Sequence, residues 1–387
     1  MKQRIFNKFL IFLLCFAFLF MPFNLNITFA AAENTDLNIS SKSAILVDYE
    51  TEKIVYEKNS DEKLPIASMT KIASLAVIFD YMSKGIIKET DLVSVSEHAA
   101  HVGGSSAFLD AHSKYQVGDL IKTIVIASAN DSTVALAEFV AGSEETFVSK
   151  MNKLAAGLEM TNTHFENSTG LPCDNHYSTA RDMVKIYKKI CDNPAYKKFS
   201  KIWTCDFVHP SGRKTGLVNT NRLVRTFDGI DGGKTGYTDK ARFCLTASAT
   251  RSNTRLVGVI IGANDSKTRF AEMSKMLNFG FANFESKNLV DSEVPVTVHK
   301  FKNAKDFVSI YPQDDINMFL SKNDDFEFTT DFEIYELKAP IKKGTEVGKI
   351  FVFDKDNMVT GETVLVAGDD VQEIGFNESL TKIIANW

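Results

Sequence analysis

Helical periodicity stops near residue 284 and does not return before the last residues of the chain, and this change constrains the architecture more than any other feature. Beyond about Asp291 the sequence holds only short β-rich runs: Val294-Pro295-Val296-Thr297-Val298, Phe307 to Tyr311, Phe332 to Leu337, Lys349 to Phe353 and Glu362 to Ala367. Turn residues such as Lys342-Lys343-Gly344 separate them, which predicts a small all-β sandwich over 292–372. Before the change, strands frame a set of helices. Ala44 to Glu57 reads strand, turn, strand, and Phe243 to Thr250 with Arg255 to Ile261 reads as a second strand pair. Between them a helix is expected from about Ser68 to Ser83, with Ile72, Leu75, Phe79 and Met82 on one face. Asp119 is expected to cap the next helix, Asp131 the one after, and Thr179-Ala180-Arg181-Asp182 to open a further one as a capping box. A helix from about Lys267 to Phe284 closes this body. The expected class is α+β, an antiparallel sheet flanked by helices over 35–287, followed by the β domain.

The N-terminus is an export label. Lys2, Arg4 and Lys8 precede a wholly apolar run, Phe9 to Phe20, and small residues follow at Ala30, Ala31 and Ala32. A positive start, an apolar middle and a small-residue exit predict a secretory signal peptide over 1–30. Pro22 and Asn24 break the run, which argues against a spanning helix, and Cys15 lacks the small neighbour of a lipoprotein signal. The chain carries 44 basic and 49 acidic side chains, three of the basic ones in this leader, and no Lys/Arg run. So acidic an exported chain is not a nucleic-acid binder steered by phosphate charge. Cys173, Cys191, Cys205 and Cys244 are widely and irregularly spaced, and are expected to be independent buried thiols rather than a disulfide framework. His98 and His101, with Glu97, lack a third ligand and read as a solvated helix end. At the other terminus, 373–387, Phe376, Leu380, Ile383, Ile384 and Trp387 recur at helical spacing. They make an amphipathic tail, either a peripheral membrane-surface anchor or a short helix packed on the β domain.

Three short motifs carry the chemistry. Ser68-Met69-Thr70-Lys71 at a helix start places a hydroxyl and an amine one turn apart on the same face. Serine needs a base to become a nucleophile, and lysine serves only if burial or another cation lowers its pKa. Ser128-Ala129-Asn130 falls in a break between two helices, where it is either a helix-end turn or a second hydroxyl and an orienting amide. Lys234-Thr235-Gly236 leads towards the strand at Phe243; its cation and hydroxyl suit a substrate carboxylate, and its glycine allows close approach along an edge strand. Lys234 would also be the cation that lowers the pKa of Lys71. Lys214-Thr215-Gly216 repeats the triplet but precedes no convincing strand, and is expected to be a surface turn.

With these motifs in this order, the chain resembles the low-molecular-mass penicillin-binding proteins that are serine-type D-alanyl-D-alanine carboxypeptidases. Leu64-Pro65-Ile66-Ala67, Tyr177-Ser178-Thr179-Ala180-Arg181-Asp182-Met183 and Ile230 to Thr238 extend the likeness, which covers nearly the whole chain. The resemblance implies a serine β-lactamase/penicillin-binding transpeptidase-like catalytic domain. In it Ser68 would be the acylated nucleophile, Lys71 the general base, and Ser128 and Asn130 the rest of the proton network. Lys234, Thr235 and Gly236 would bind substrate, with the backbone N–H groups of Ser68 and Tyr237 as oxyanion hole. It implies peptidoglycan stem peptide and β-lactam antibiotics as partners, with no metal and no cofactor. Arg269 stands where some relatives anchor the substrate carboxylate; as a residue it reads equally as a solvated helix-start arginine. Thr220 stands where some relatives have an arginine. A β-lactamase of the class using Glu-x-x-x-Asn would need asparagine four places after Glu166, where this chain has Gly170. Two further functions share the outline: an endopeptidase or transpeptidase of the same superfamily, and an inactive wall-binding module, which would have lost Ser68, Lys71 or Asn130.

Overall fold

The computed structural model describes residues 37–375, so the leader over 1–30 and the tail from Phe376 to Trp387 lie outside the described residues. The chain opens with strands β1 (Ser43–Asp48) and β2 (Ile54–Lys58), then a 3-10 turn, Ala67–Thr70, that runs into helix α1 (Lys71–Ser83). Strand β3 (Leu92–Ser94), α2 (Glu97–Ala100), β4 (Lys114–Gln116), α3 (Val117–Ala127), α4 (Asn130–Ala141) and α5 (Glu144–Gly157) follow. Next come α6 (Ala180–Cys191), α7 (Pro194–Ser200), β5 (Thr204–Val208), β6 (Lys214–Val218) and α8 (Leu223–Thr226). The body closes with β7 (Ile230–Thr238), β8 (Arg242–Arg251), β9 (Thr254–Ala263) and α9 (Ser266–Asn283).

Five strands form one antiparallel sheet in the order β2-β1-β9-β8-β7, leaving β7 at an edge. Strand alternation divides its apolar side chains between two layers. Ile45, Val47, Val257 and Val259 join the core built with α1, α3, α4 and α6. On α9, which packs against β1, β8 and β9, Gly280 brings its backbone down onto Leu46 and Leu256, where a Cβ would stand 2.4 Å from a Leu256 methyl.

Several local expectations are corrected. Helix α1 is buried all round from Lys71 to Phe79, not on one face, because it runs through the middle of the helical layer. Asp119 is not a cap. Helix α3 begins two residues earlier, its first N–H groups taken by the Asp91 and Glu89 carbonyls, and Asp119 pairs instead with Lys122. Asp131 lies inside the first turn of α4, behind Ala129. Thr179 does cap α6, accepting from the Asp182 N–H at 3.0 Å. The Lys214 triplet is a strand, β6, hairpinned with β5. Of the cysteines, Cys191 and Cys244 are buried, but Cys173 is exposed and Cys205 half-buried; all four are free thiols.

After α9 the structure is β only. Strands β10 (Phe284–Val290), β11 (Thr297–His299), β12 (Val308–Pro312), β13 (Ile316–Ser321), β14 (Thr329–Ile334), β15 (Glu346–Phe353) and β16 (Val359–Ala367) form two antiparallel sheets. One has the order β11-β12-β16-β15-β14, the other pairs β10 with β13. Ile310, Val347, Ile350, Val352 and Leu365 fill the space they enclose. Strands β10 and β13 escape the pattern reading because Phe284-Glu285-Ser286-Lys287 and Asn317-Met318 break the apolar alternation. Among the described residues no helix is long and apolar enough to cross a membrane.

Candidate active site

The 3-10 turn before α1 sets the first group in place. Ala67 has φ +47, a left-handed conformation that costs an L-residue about 1–2 kcal/mol. A chain of hydrogen bonds holds it. The Glu166 N–H donates to His176 Nδ1 at 3.2 Å, so in the neutral ring Nε2 carries the proton and donates to Thr70 Oγ1 at 2.7 Å. Thr70 Oγ1 in turn donates to the Ala67 carbonyl at 2.8 Å. Burial keeps this imidazole neutral, pushing it down to about 4. Across the turn lies Gly170, whose φ is +81 and where any Cβ would stand 2.0 Å from the Ala67 oxygen. Only glycine lets the two backbones meet there.

Ser68, half-buried on that turn, and Lys71, one turn on and fully buried, face each other with Nζ 3.0 Å from Oγ. The second Nζ contact is the Thr169 carbonyl at 2.7 Å. Burial, and then the positive charge of Lys234, hold the Lys71 amine well below the usual lysine range, while the Asp131 carboxylate pulls the other way. Lys234 reaches in from β7 and donates to Ser128 Oγ at 2.7 Å and to the Thr235 carbonyl at 3.0 Å. Its own pKa is lowered to about 7 by burial and by Arg269. The two lysines thus share one buried, cation-rich space in which neither readily keeps a full charge.

Ser128 sits at the break between α3 and α4 with φ +62, which turns its hydroxyl towards Lys234. Asn130 opens α4; its N–H donates to the Ser105 carbonyl at 2.7 Å and its Nδ2 to the Gly103 carbonyl at 2.8 Å. Its Oδ1 is buried with no partner, an acceptor left open in the cluster.

Gly236 lies against the 3-10 turn that carries Ser68, where a Cβ would stand 2.6 Å from the Ile66 carbonyl and 3.2 Å from the Ser68 nitrogen. Because β7 is an edge, alternate backbone groups of this segment stay outside the ladder and beside Ser68. Thr235 is buried and Tyr237 exposed, its ring 4.4 Å from that of Phe243. Arg269 is no solvated helix-start residue. It is 6% exposed, donates from Nη1 to the Gly236 and Cys244 carbonyls at 3.2 Å each, and stacks on Phe270. Its Nε has no partner.

Ser68, Lys71, Ser128, Asn130 and the Lys234 triplet therefore converge, with Arg269 behind Gly236. The other predicted candidates lie apart. Lys214 is exposed and faces Asp206 at 3.6 Å. His98 and His101 are exposed and pair with Glu144 and Glu97, and among the described residues no group of three or more His, Cys, Asp or Glu could hold a metal ion. Glu166 is exposed and accepts the Cys173 thiol at 2.5 Å. Sequence reasoning missed the Thr169 carbonyl, His176, Asp131 and the Gly103-Gly104 loop. Two consecutive glycines and the Thr169-Gly170 pair were the available signals.

Known proteins match over the same ground. The family described as D-alanyl-D-alanine carboxypeptidase matches residues 28–265, and the one described as penicillin-binding protein 5, C-terminal domain, matches residues 284–373. The D-alanyl-D-alanine carboxypeptidase DacF of Bacillus subtilis is 40% identical over 91% of this chain and 91% of its own length. DacA of Escherichia coli, a D-alanyl-D-alanine carboxypeptidase, is 34% identical over 90% of each. The crystal structure of penicillin binding protein 5 from Haemophilus influenzae superposes with a TM-score of 0.69 at 32% identity, covering 87% of this chain and 98% of that one. Matched over most of its length by these family models and relatives, the chain belongs to the D-alanyl-D-alanine carboxypeptidase family.

Proposed function

We propose that the protein is a serine D-alanyl-D-alanine carboxypeptidase that removes the terminal D-alanine from peptidoglycan stem pentapeptides and is acylated by penicillins. The observation that carries this reading is the pairing of Ser68 Oγ with Lys71 Nζ at 3.0 Å, in a space where burial and Lys234 favour the neutral amine. A neutral Lys71 accepts the Ser68 proton as Oγ attacks the carbonyl between the two D-alanines. The tetrahedral oxyanion forms between the backbone N–H groups of Ser68 and Tyr237. The proton passes through Ser128, which Lys234 holds at 2.7 Å, to the leaving amine, and free D-alanine departs. Water then cleaves the Ser68 ester and restores the hydroxyl. Lys234 and Thr235 grip the terminal carboxylate, Arg269 adds positive charge from behind Gly236, and the open Oδ1 of Asn130 accepts a substrate N–H. A penicillin enters by the same attack and stays as the ester.

The test is the reaction. Purified protein releases D-alanine from a peptide ending in D-Ala-D-Ala and leaves one ending in L-Ala-L-Ala intact. Release from both, or from neither, contradicts the reading. Action at the cell wall also requires export, for which the leader over 1–30 is proposed, with the 373–387 tail resting on the membrane surface. Cell fractionation of the full chain against one ending at Ile374 tests the tail: equal solubility removes the anchor.

A further inference from the structure

Asp131 follows the Ser128-Ala129-Asn130 corner and is fully buried. Its carboxylate accepts five hydrogen bonds: from Ser106 Oγ at 2.6 Å, the Ser132 N–H at 2.8 Å, the Leu109 N–H at 3.0 Å, the Ala107 N–H at 3.1 Å and, at the long limit, Ser132 Oγ at 3.5 Å. Three of these come from one loop, which continues back to Ser105 and Gly103, the two carbonyls that hold Asn130. The fit above Asn130 is tight. Gly103 and Gly104 both have left-handed φ, +76 and +73, and a Cβ on Gly104 would stand 2.5 Å from Asn130 Nδ2. The amide is thus aimed by a loop with no covalent claim on it, and that loop is tied down by the next side chain in the sequence.

We propose that Asp131 is a positioning residue for acylation, a buried carboxylate that clamps the Ser106–Leu109 loop so that the Gly103 carbonyl orients the Asn130 amide towards the substrate. This rests on the acyl-transfer reading of Ser68 given above. Asp131 lies inside the first turn of α4, behind the Ala129 N-cap, and three loop donors converging on one carboxylate exceed what starting a helix requires. The same charge acts on the base. Around Lys71 stand the Ser68 hydroxyl, the Thr169 carbonyl and the charges of Lys234 and Asp131, and Asp131 is the one that favours the protonated amine. His209 also feels the Asp131 charge.

Acylation by a fluorescent penicillin, followed against pH in the purified protein, tests this. Asp131→Asn should slow acylation by about 10- to 100-fold, as expected for losing charge-assisted hydrogen bonds. It should also move the acid limb to lower pH, because Lys71 loses the charge that helps it hold a proton. Ser106→Ala removes one donor and leaves the charge, so it should slow acylation less and leave the acid limb in place. Both losses should shrink sharply when Asn130 is already alanine, since they act through that amide. Losses that simply add to that of Asn130→Ala overturn the proposal, as does an unshifted acid limb in Asp131→Asn. Should Asp131→Asn fail to fold, Ser106→Ala in the two Asn130 backgrounds decides alone, coupling supporting the clamp and additivity ending it. A wild-type protein that takes no penicillin would overturn the acyl-transfer reading instead, and is told apart by that control.

Discussion

Across residues 38–283 the buried set includes Lys71, Asp131, Lys234, Arg269 and Glu272, whereas across 284–373 Thr363 is the only buried polar residue among those described. Each buried charge costs several kcal/mol unless it is compensated. Glu272 is compensated by the Ser40 and Ser41 hydroxyls and backbone, and Asp131 by its five donors. Lys71 and Lys234 are not compensated by an adjacent carboxylate; they face hydroxyls and carbonyls and give up proton affinity. No such buried lysine occurs among the described residues of the β part, whose core is aliphatic and aromatic. Left-handed backbone at non-glycine residues does not divide the two parts in this way: Ala67, next to Ser68, and Ser128 itself have it, but so do Asn303 and Asn357 in the β part, where asparagine tolerates it. The parts differ in buried charge, which the first holds and the described residues of the second do not.

The comparison breaks most visibly at the base. Lys71→Ala should cut acylation by about 10²–10⁴-fold, the usual contribution of a general base, measured as the second-order rate with penicillin. Unchanged acylation would mean the buried amine is structural. Lys234→Ala against Lys214→Ala sharpens the point, since the same triplet occurs twice. The first should slow acylation about 10- to 100-fold through lost charge-assisted contacts. It should also shift the acid limb to higher pH, because Lys71 loses one cause of its lowered pKa and is reprotonated sooner. Lys214, exposed and in a pair worth about 0–1 kcal/mol, should behave as wild type. The smallest kinetic effect belongs to the β part. Leu365→Ala, in a fully buried position of β16, should cost about 2–5 kcal/mol in thermal or denaturant unfolding and leave the acylation rate as it was. A kinetic loss there would show that the β part supports the site.

Stability against pH carries a further signature. His176 has an ordinary imidazole pKa when unfolded and about 4 when folded, so the unfolded chain binds a proton that the native one refuses. Stability is full above about pH 6.5 and falls as pH drops towards 4, by about 3 kcal/mol for this group alone. His176→Gln should flatten that part of the profile in denaturant titrations between pH 7 and 4, and an unchanged slope would assign the acid loss to other groups.

Much of the fold was legible because it is written locally. The cap at Thr179, the turn at Arg251 to Thr254 and the helix up to Asn283 depend on residues a few places apart, although the Asp182 carboxylate of the expected capping box turns instead to the Asn162 N–H and the Thr163 hydroxyl. The three motifs were legible for the same reason. What stayed hidden depends on distant partners. Asp131 reads as a cap until Ser106, Ala107 and Leu109 are seen to fold onto it, and Arg269 reads as solvated until the Gly236 and Cys244 carbonyls cover it. The first turn of α3 is closed by backbone carbonyls of Glu89 and Asp91, which no side-chain pattern announces. The Lys214 triplet forms a strand because β5 pairs with it, not because its own sequence asks for one.

The central claim is that the nucleophile is the Ser68 oxygen, activated within the buried lysine pair. Penicillin-labelled protein, digested and read by mass spectrometry, tests it most directly. A single acyl adduct on the peptide carrying Ser68, absent in Ser68→Ala while that variant keeps the wild-type unfolding profile, is the predicted result. An adduct on another residue, or labelling that persists in a folded Ser68→Ala protein, contradicts it.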